Sequence, residues 1–286
     1  MASMTDLKKR KESIQSTGQI TKAMKLVSTV KLQKARQRAE DSKPYFDFMY
    51  ETVSSILENS EGIAHPYIDG NDCKKKAVVV ISSNRGLAGG YNANVVRAVR
   101  DAEGLDKDDV IIYPVGRKGK ELLVNKGYEM GMDFSDSISA PMYADAYVIT
   151  QVLLKDFAAG KIGEIYLAYS RFVNTVTQEP RVLQLLPVQV QERNVEKKTH
   201  DAPMNFELDD QEAISELVPK YIASLIYGAL NEALASENGA RMQAMDNATS
   251  NAEEMIEDLE LQYNRVRQGS ITQELTEIIA GANAIS

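Results

Sequence analysis

The sequence predicts an α/β protein of uneven build: a long antiparallel coiled coil of N- and C-terminal helices, with a small α/β, Rossmann-like domain of about five strands inserted between them. Three observations carry this expectation. Residues 3 to about 57 hold one proline, Pro44, and one glycine, Gly18, in an otherwise helical pattern. Residues 76–190 alternate short apolar runs with short amphipathic ones, the pattern of strand and helix in turn. From about residue 210 helical patterning returns and meets no proline after Pro219.

The first helix is read over 1–58. Its apolar residues Leu7, Ile14, Ile20, Met24, Val27, Val30 and Leu32 recur close to a helical period, with a bend expected near Pro44. Residues 60–75, "SEGIAHPYIDGNDCKK", are rich in turn formers and read as a linker.

The α/β domain is read over 76–190. "KAVVVIS" and "DDVIIYPVG" are buried-strand runs, each followed by a short helix, "YNANVVRAVRDAEG" and "RKGKELLVNKG". "YEMGMDFSD" is a possible strand, "PMYADAYVITQVLLKDFAAG" a helix, and "EIYLAYSRFVN" and "PRVLQLLPVQV" a closing strand pair. Such an order implies a mostly parallel sheet with a hairpin-like end.

The last helix is read over 210–286. Ile214, Leu217, Tyr221, Leu225, Leu230, Leu234, Met242, Met245, Met255, Leu259, Tyr263, Val266, Leu275 and Ile279 recur at spacings of three to five, widening in places. At 1.5 Å per residue the stretch after Pro219 would be a rod of roughly 100 Å, too long for a compact domain to bury along its whole length.

Charge favours pairing of the two terminal helices. The chain has a net charge of -8, yet residues 1–43 carry eleven Lys/Arg against four Asp/Glu. Residues 251–286 carry seven acids and two arginines. Complementary flanks of this kind set orientation in coiled coils. The last helix is the longer, so its end is expected to project past its partner.

Composition and motifs exclude much else. A single cysteine, Cys73, rules out a disulfide framework and suits a reducing compartment. No apolar run reaches the roughly 18 residues of a membrane span, and the N-terminus has no apolar signal core. "AVVVISSNRGLAGGYNANVV" has the strand, glycine-rich turn and helix of a phosphate site, but Gly86, Gly89 and Gly90 form neither the dinucleotide fingerprint nor a P-loop. The turn is read as structural, its glycines supplying positive φ or close backbone approach, with Asn92 or Asn94 capping the next helix. His65 and His200 stand far apart in sequence, each away from Cys or carboxylates at metal-ligand spacing. No catalytic residue, cofactor or metal is expected. Met242, Met245 and Met255 read as core or as a pliable contact surface.

Three stretches resemble the gamma subunit of the F-type ATP synthase: "QSTGQITKAMKLVSTVKLQKA" (15–35), "SSNRGLAGGYN" (82–92), and "SENGARMQAMDNATSNA" with "RQGSITQELTEIIAGANAI" (236–252 and 267–285). The resemblance covers the whole chain. It departs at Asn84 and Ala88, where many relatives have Asp and Cys, and Cys73 alone cannot form the cysteine pair of the chloroplast form. No transit peptide is seen, so the bacterial form is implied.

The resemblance implies a non-catalytic rotor shaft turning within a hexamer of alpha and beta subunits, coupling ion flow through the c-ring to ATP synthesis and hydrolysis. It assigns beta-subunit contacts to Lys22, Met24, Lys25, Arg241, Gln268, Thr272 and Glu274. It assigns the apolar bearing to Ile278, Ile279, Ala282 and Ile285. It assigns a foot on the c-ring and epsilon subunit to Met204, Phe206 and Glu207. The implied location is the cytoplasmic face of the bacterial membrane, peripheral and attached only through the c-ring. Two other readings are less consistent with the residues: a nucleotide-binding α/β enzyme, and a basic coiled-coil adaptor for nucleic acid. Tight nucleotide binding, or strongly salt-dependent DNA binding by residues 1–43, would favour them.

Overall fold

The computed structural model describes residues 3–59, 65–188 and 210–285, with side chains excepted at 46, 55–59, 210, 284 and 285. Two long helices flank an α/β body: α1 (Met4–Asn59) and α6 (Asp210–Ile285). Between them lie α2 (Pro66–Asp69), β1 (Lys76–Ile81), α3 (Tyr91–Asp101), β2 (Val110–Val115), α4 (Arg117–Asn125), β3 (Glu129–Met130), α5 (Tyr143–Ala158), β4 (Glu164–Phe172) and β5 (Gln178–Leu186). Helix runs through Pro44 in α1 and Pro219 in α6. The stretch expected as a strand near residue 129 pairs over two residues only. Gly131 N still donates to the Ile112 carbonyl (2.8 Å), and the absence of a side chain leaves room for the Tyr113 ring, which a Cβ there would meet at 2.8 Å.

The chain divides into two compact units, Met1–Ser28 with Arg241–Ser286, and Thr29–Ala240. Both long helices take part in both units.

The larger unit is built on a five-stranded sheet of order β3-β2-β1-β4-β5, parallel except for β5, which runs back against β4. β1 sits centrally and is buried on both faces, which explains its unbroken "AVVVI" run. One face, with Val78, Val80 and Ile112, packs on Val95, Val96 and Val99 of α3 and Leu123 of α4. The other, with Val79, Ile81 and Val115, packs on Ile149, Leu153 and Phe157 of α5. Ile214, Val218, Ile222, Ile226 and Leu230 of α6 join that second layer. The beginning of α6 is therefore core helix of the α/β unit. Its hydrophobic positions at every fourth residue match a stripe laid on a sheet.

The smaller unit is an antiparallel helix pair. On α1, residues 7, 11, 14, 18, 21, 25 and 28 are buried or half-buried; on α6, residues 242, 245, 249, 252, 256, 259, 263 and 266 are. Alternate steps of three and four make these the two seam positions of a heptad, so the pair is a coiled coil. The α1 side differs from its apolar pattern. Ile20 is 58% exposed, Val27 57% and, in the larger unit, Val30 52%, while Thr21 and Ser28 are buried. A seam follows a 3.5-residue repeat, and these three apolar residues fall outside it.

Candidate functional site

The β1–α3 turn is where an α/β layer of this topology would hold a phosphate. Here its polar groups serve the fold. Asn84 Oδ1 accepts from Arg117 N (3.0 Å), the Ser83 carbonyl from Lys118 N (3.0 Å) and Ser82 Oγ from Gly119 N (2.9 Å). The first three amides of the neighbouring helix α4 are thus satisfied by the chain just past β1, which ties this turn to α4. Gly116 allows the close approach, for a Cβ there would stand 2.2 Å from the Ser82 carbonyl oxygen. Positive φ occurs at Gly89 (56°) and also at Leu87 (62°). The expected capping of α3 by Asn92 or Asn94 is not found: Gly90 is the N-cap, without a side-chain bond. Asn92 Oδ1 instead accepts from Ser83 N (2.9 Å), because that amide leaves the strand and needs an acceptor. Among the described residues no cluster of His, Cys, Asp or Glu is placed to hold a metal ion.

The helix pair offers a different kind of site. Thr21 and Thr249 hydroxyls meet at 2.8 Å, each also donor-placed toward a carbonyl of its own helix, Gly18 and Met245. A Cβ on Gly18 would lie 3.4 Å from the Ala252 Cβ, so the backbones approach closely there. Lys25 pairs with Asp246 (2.5 Å). Lys11 pairs with Glu260 (2.6 Å), a base of residues 1–43 meeting an acid of residues 251–286 as the sequence led one to expect. Leu7, Met245, Ala252 and Leu259 are buried apolar residues of this seam.

Outside this seam the unit is open. Ile20, Leu26 and Val27 are each more than half exposed on α1. The seam on α6 ends at Val266, and every side chain from Arg267 to Asn283 is exposed. Four large apolar residues lie in that stretch: Ile271 (47%), Leu275 (54%), Ile278 (67%) and Ile279 (60%). At about 100° per residue they fall on the side of the helix opposite Val266. They do not continue the seam; they form a second stripe turned away from α1. An exposed apolar stripe of this kind marks an interaction surface.

The chain matches the family model described as "ATP synthase" over residues 3–285. It is 58% identical, over the whole of both chains, to the ATP synthase gamma chain of Lachnoclostridium phytofermentans. The chain belongs to the ATP synthase gamma family. It is 43% identical to the gamma chain of Alkaliphilus metalliredigens, over 99% of this chain and 98% of that one. To the sodium-ion-specific gamma chain of Acetobacterium woodii it is 37% identical, over 98% of each. Its fold is similar to a chain in the OSCP/F1/c-ring structure of the Euglena gracilis mitochondrial ATP synthase, with a TM-score of 0.68 and 18% identity over 99% of this chain and 94% of that one. It is also similar to a chain of the central stalk and c-ring of the Tetrahymena thermophila enzyme, with a TM-score of 0.59 and 24% identity over 80% and 99%. As a member of the gamma family it is a non-catalytic subunit of central-stalk type.

The residues expected as gamma-family contacts are spread over the smaller unit. Lys22, Gln268, Thr272 and Glu274 are exposed, Met24 and Lys25 half-buried. Arg241 is only 9% exposed, so most of its surface is already covered by its own chain. Thr272 Oγ1 donates to the Gln268 carbonyl (2.9 Å), as Thr does within a helix. Ile278, Ile279 and Ala282 are exposed; the side chain of Ile285 and the whole of Met204, Phe206 and Glu207 lie outside the described residues. The seam residues Gly18, Thr21 and Thr249 were not among the expected sites. Two seven-residue series on each helix are the signal that marks them: Leu7, Ile14, Thr21 and Ser28 with Lys11, Gly18 and Lys25 on α1, and Met245, Ala252, Leu259 and Val266 with Met242, Thr249, Ile256 and Tyr263 on α6.

Proposed function

We propose that the helix pair is the rotating shaft of an F-type ATP synthase, turning inside a hexamer of alpha and beta subunits. The observation that supports this best is the second stripe on α6. Ile271, Leu275, Ile278 and Ile279 are exposed, lie beyond the seam and face away from α1. An apolar end of this type suits a sleeve of other chains in which it can turn. Ile278, Ile279, Ala282 and Ile285 would form that bearing. Lys22, Met24, Lys25, Arg241, Gln268, Thr272 and Glu274 would touch the beta subunits. Met204, Phe206 and Glu207 would belong to the foot that meets the epsilon subunit and c-ring. The protein would then sit peripherally at the cytoplasmic face of the membrane, attached through the ring. No helix among the described residues is long and apolar enough to cross a membrane itself.

The coupling is a shift of populations. Two helices of unlike sequence cannot offer one surface to three equivalent catalytic subunits at once. Each subunit therefore meets different contacts at each shaft angle, and only that difference in contact energy can bias its conformation. Ion flow would turn the ring, the foot and the shaft together, favouring ATP release at one site per step, and hydrolysis would drive the same cycle backwards. The test is assembly: the chain mixed with its own alpha and beta subunits should co-purify as one complex and raise ATP hydrolysis. Failure to co-purify, or tight nucleotide binding by the chain alone, would sink this reading.

A further inference from the structure

His65 joins three parts of the larger unit. Its Nδ1 accepts from the Tyr67 amide (3.1 Å), which makes His65 the side-chain cap of α2. That bond assigns the tautomer: Nδ1 bears the lone pair, so Nε2 carries the hydrogen and donates to Ser215 Oγ on α6 (3.0 Å). The Tyr67 carbonyl in turn accepts from the Val188 amide (2.9 Å), just past β5. The Tyr67 ring lies between His65 (4.8 Å) and Phe157 of α5 (6.1 Å). The residues 65–67 thus hold the exit of β5 on one side and the start of α6 on the other.

We propose that His65 is a pH-operated clasp fastening the exit of β5 to the first turns of α6. A second proton on the ring must go to Nδ1, where it would meet the Tyr67 N–H head on. The cap is then lost, the turn at 65–69 loosens, and the Tyr67 carbonyl that holds Val188 loosens with it. Deprotonation restores all of these contacts. Within the proposed function, this lets pH set how firmly the exit of β5 at Val188 is held against the turn at 65–69.

Among the described residues the charges around the ring are few. Asp69, in the same turn, accepts from the His65 amide (2.9 Å) and favours the protonated ring. Burial of the imidazole outweighs it, so the His65 pKa lies below the usual value. On α6 the nearest charged residues in sequence to Ser215 are the exposed Glu212 and Glu216. α5 presents the Phe157 ring, and the exit of β5 presents Val188. Since the folded state holds protons more weakly at His65 than the unfolded chain does, the clasp contributes fully above about pH 6.5 and is lost as pH falls through the lowered folded value.

Nuclear magnetic resonance on the full chain tests this. The His65 ring should titrate below its ordinary value, and the Tyr67 and Val188 amides should shift with the same midpoint. Their exchange protection, corrected for intrinsic pH dependence, should fall severalfold below that midpoint. In His65→Asn the side-chain oxygen can still cap Tyr67 but cannot titrate, so protection should become flat with pH. If the two amides titrate in His65→Asn as they do in the parent, or if they ignore the ring midpoint in the parent, the clasp does not exist. Neither outcome depends on rotation, so loss of the clasp and loss of the shaft role are separate results.

Discussion

Lys25 is held 2.5 Å from Asp246 across the helix pair, although it is also one of the residues proposed to meet a beta subunit. The two roles are compatible if the pair is weak. Its side chains are 37% and 44% exposed, so water screens much of the attraction. Pairs of this kind contribute roughly 0–1 kcal/mol.

Lys25→Gln should therefore lower the stability of the isolated chain by less than about 1 kcal/mol in urea unfolding. In the assembled complex the same change should reduce the rate of ATP hydrolysis coupled to rotation. If assembly and hydrolysis are both unchanged, Lys25 serves only the seam.

The stripe beyond Val266 gives the opposite pair of expectations. Ile278 and Ile279 are 67% and 60% exposed, so replacing both by Ser should move the stability of the isolated chain by no more than about 0.5 kcal/mol per site. Retention of the chain by the alpha–beta hexamer should nevertheless weaken, read as faster dissociation during gel filtration. Unaltered retention would remove the bearing from the proposal.

Gly116 tests the closed turn. An Ala there would bring a methyl group within 2.2 Å of the Ser82 carbonyl oxygen at a φ of 125°. Backbone strain and overpacking together should cost ~3 kcal/mol or more in the α/β unit. A well-folded Gly116→Ala chain of parental stability would show that β1 and α4 are less tightly joined than their amide contacts indicate.

Much of this was legible in the residues. Local hydrogen bonding and side-chain period make the long helices, and no tertiary contact is needed to see a 76-residue α6 in a stretch with a single interior proline. The doubly buried β1 and the alternation after it could be read in the same way. Opposite charge on the two terminal helices indicated their antiparallel pairing, and Lys11–Glu260 bears it out. What could not be read was which face each helix would bury.

On α1 an apolar count favoured Ile20 and Val27, but the seam took Thr21 and Ser28. Two helices that approach closely, as at Gly18 and Ala252, have room for small side chains, and a hydroxyl there is affordable when Thr249 answers it. Likewise Asn92, with Asn94 a candidate cap in the sequence, is the acceptor for a strand-end amide, because only the folded turn brings Ser83 to it. Hydrophobic period and charge along the chain by themselves determined the elements and their order. Tertiary structure decided which residues face inward, because burial depends on the distance between backbones, and no single helix contains that distance.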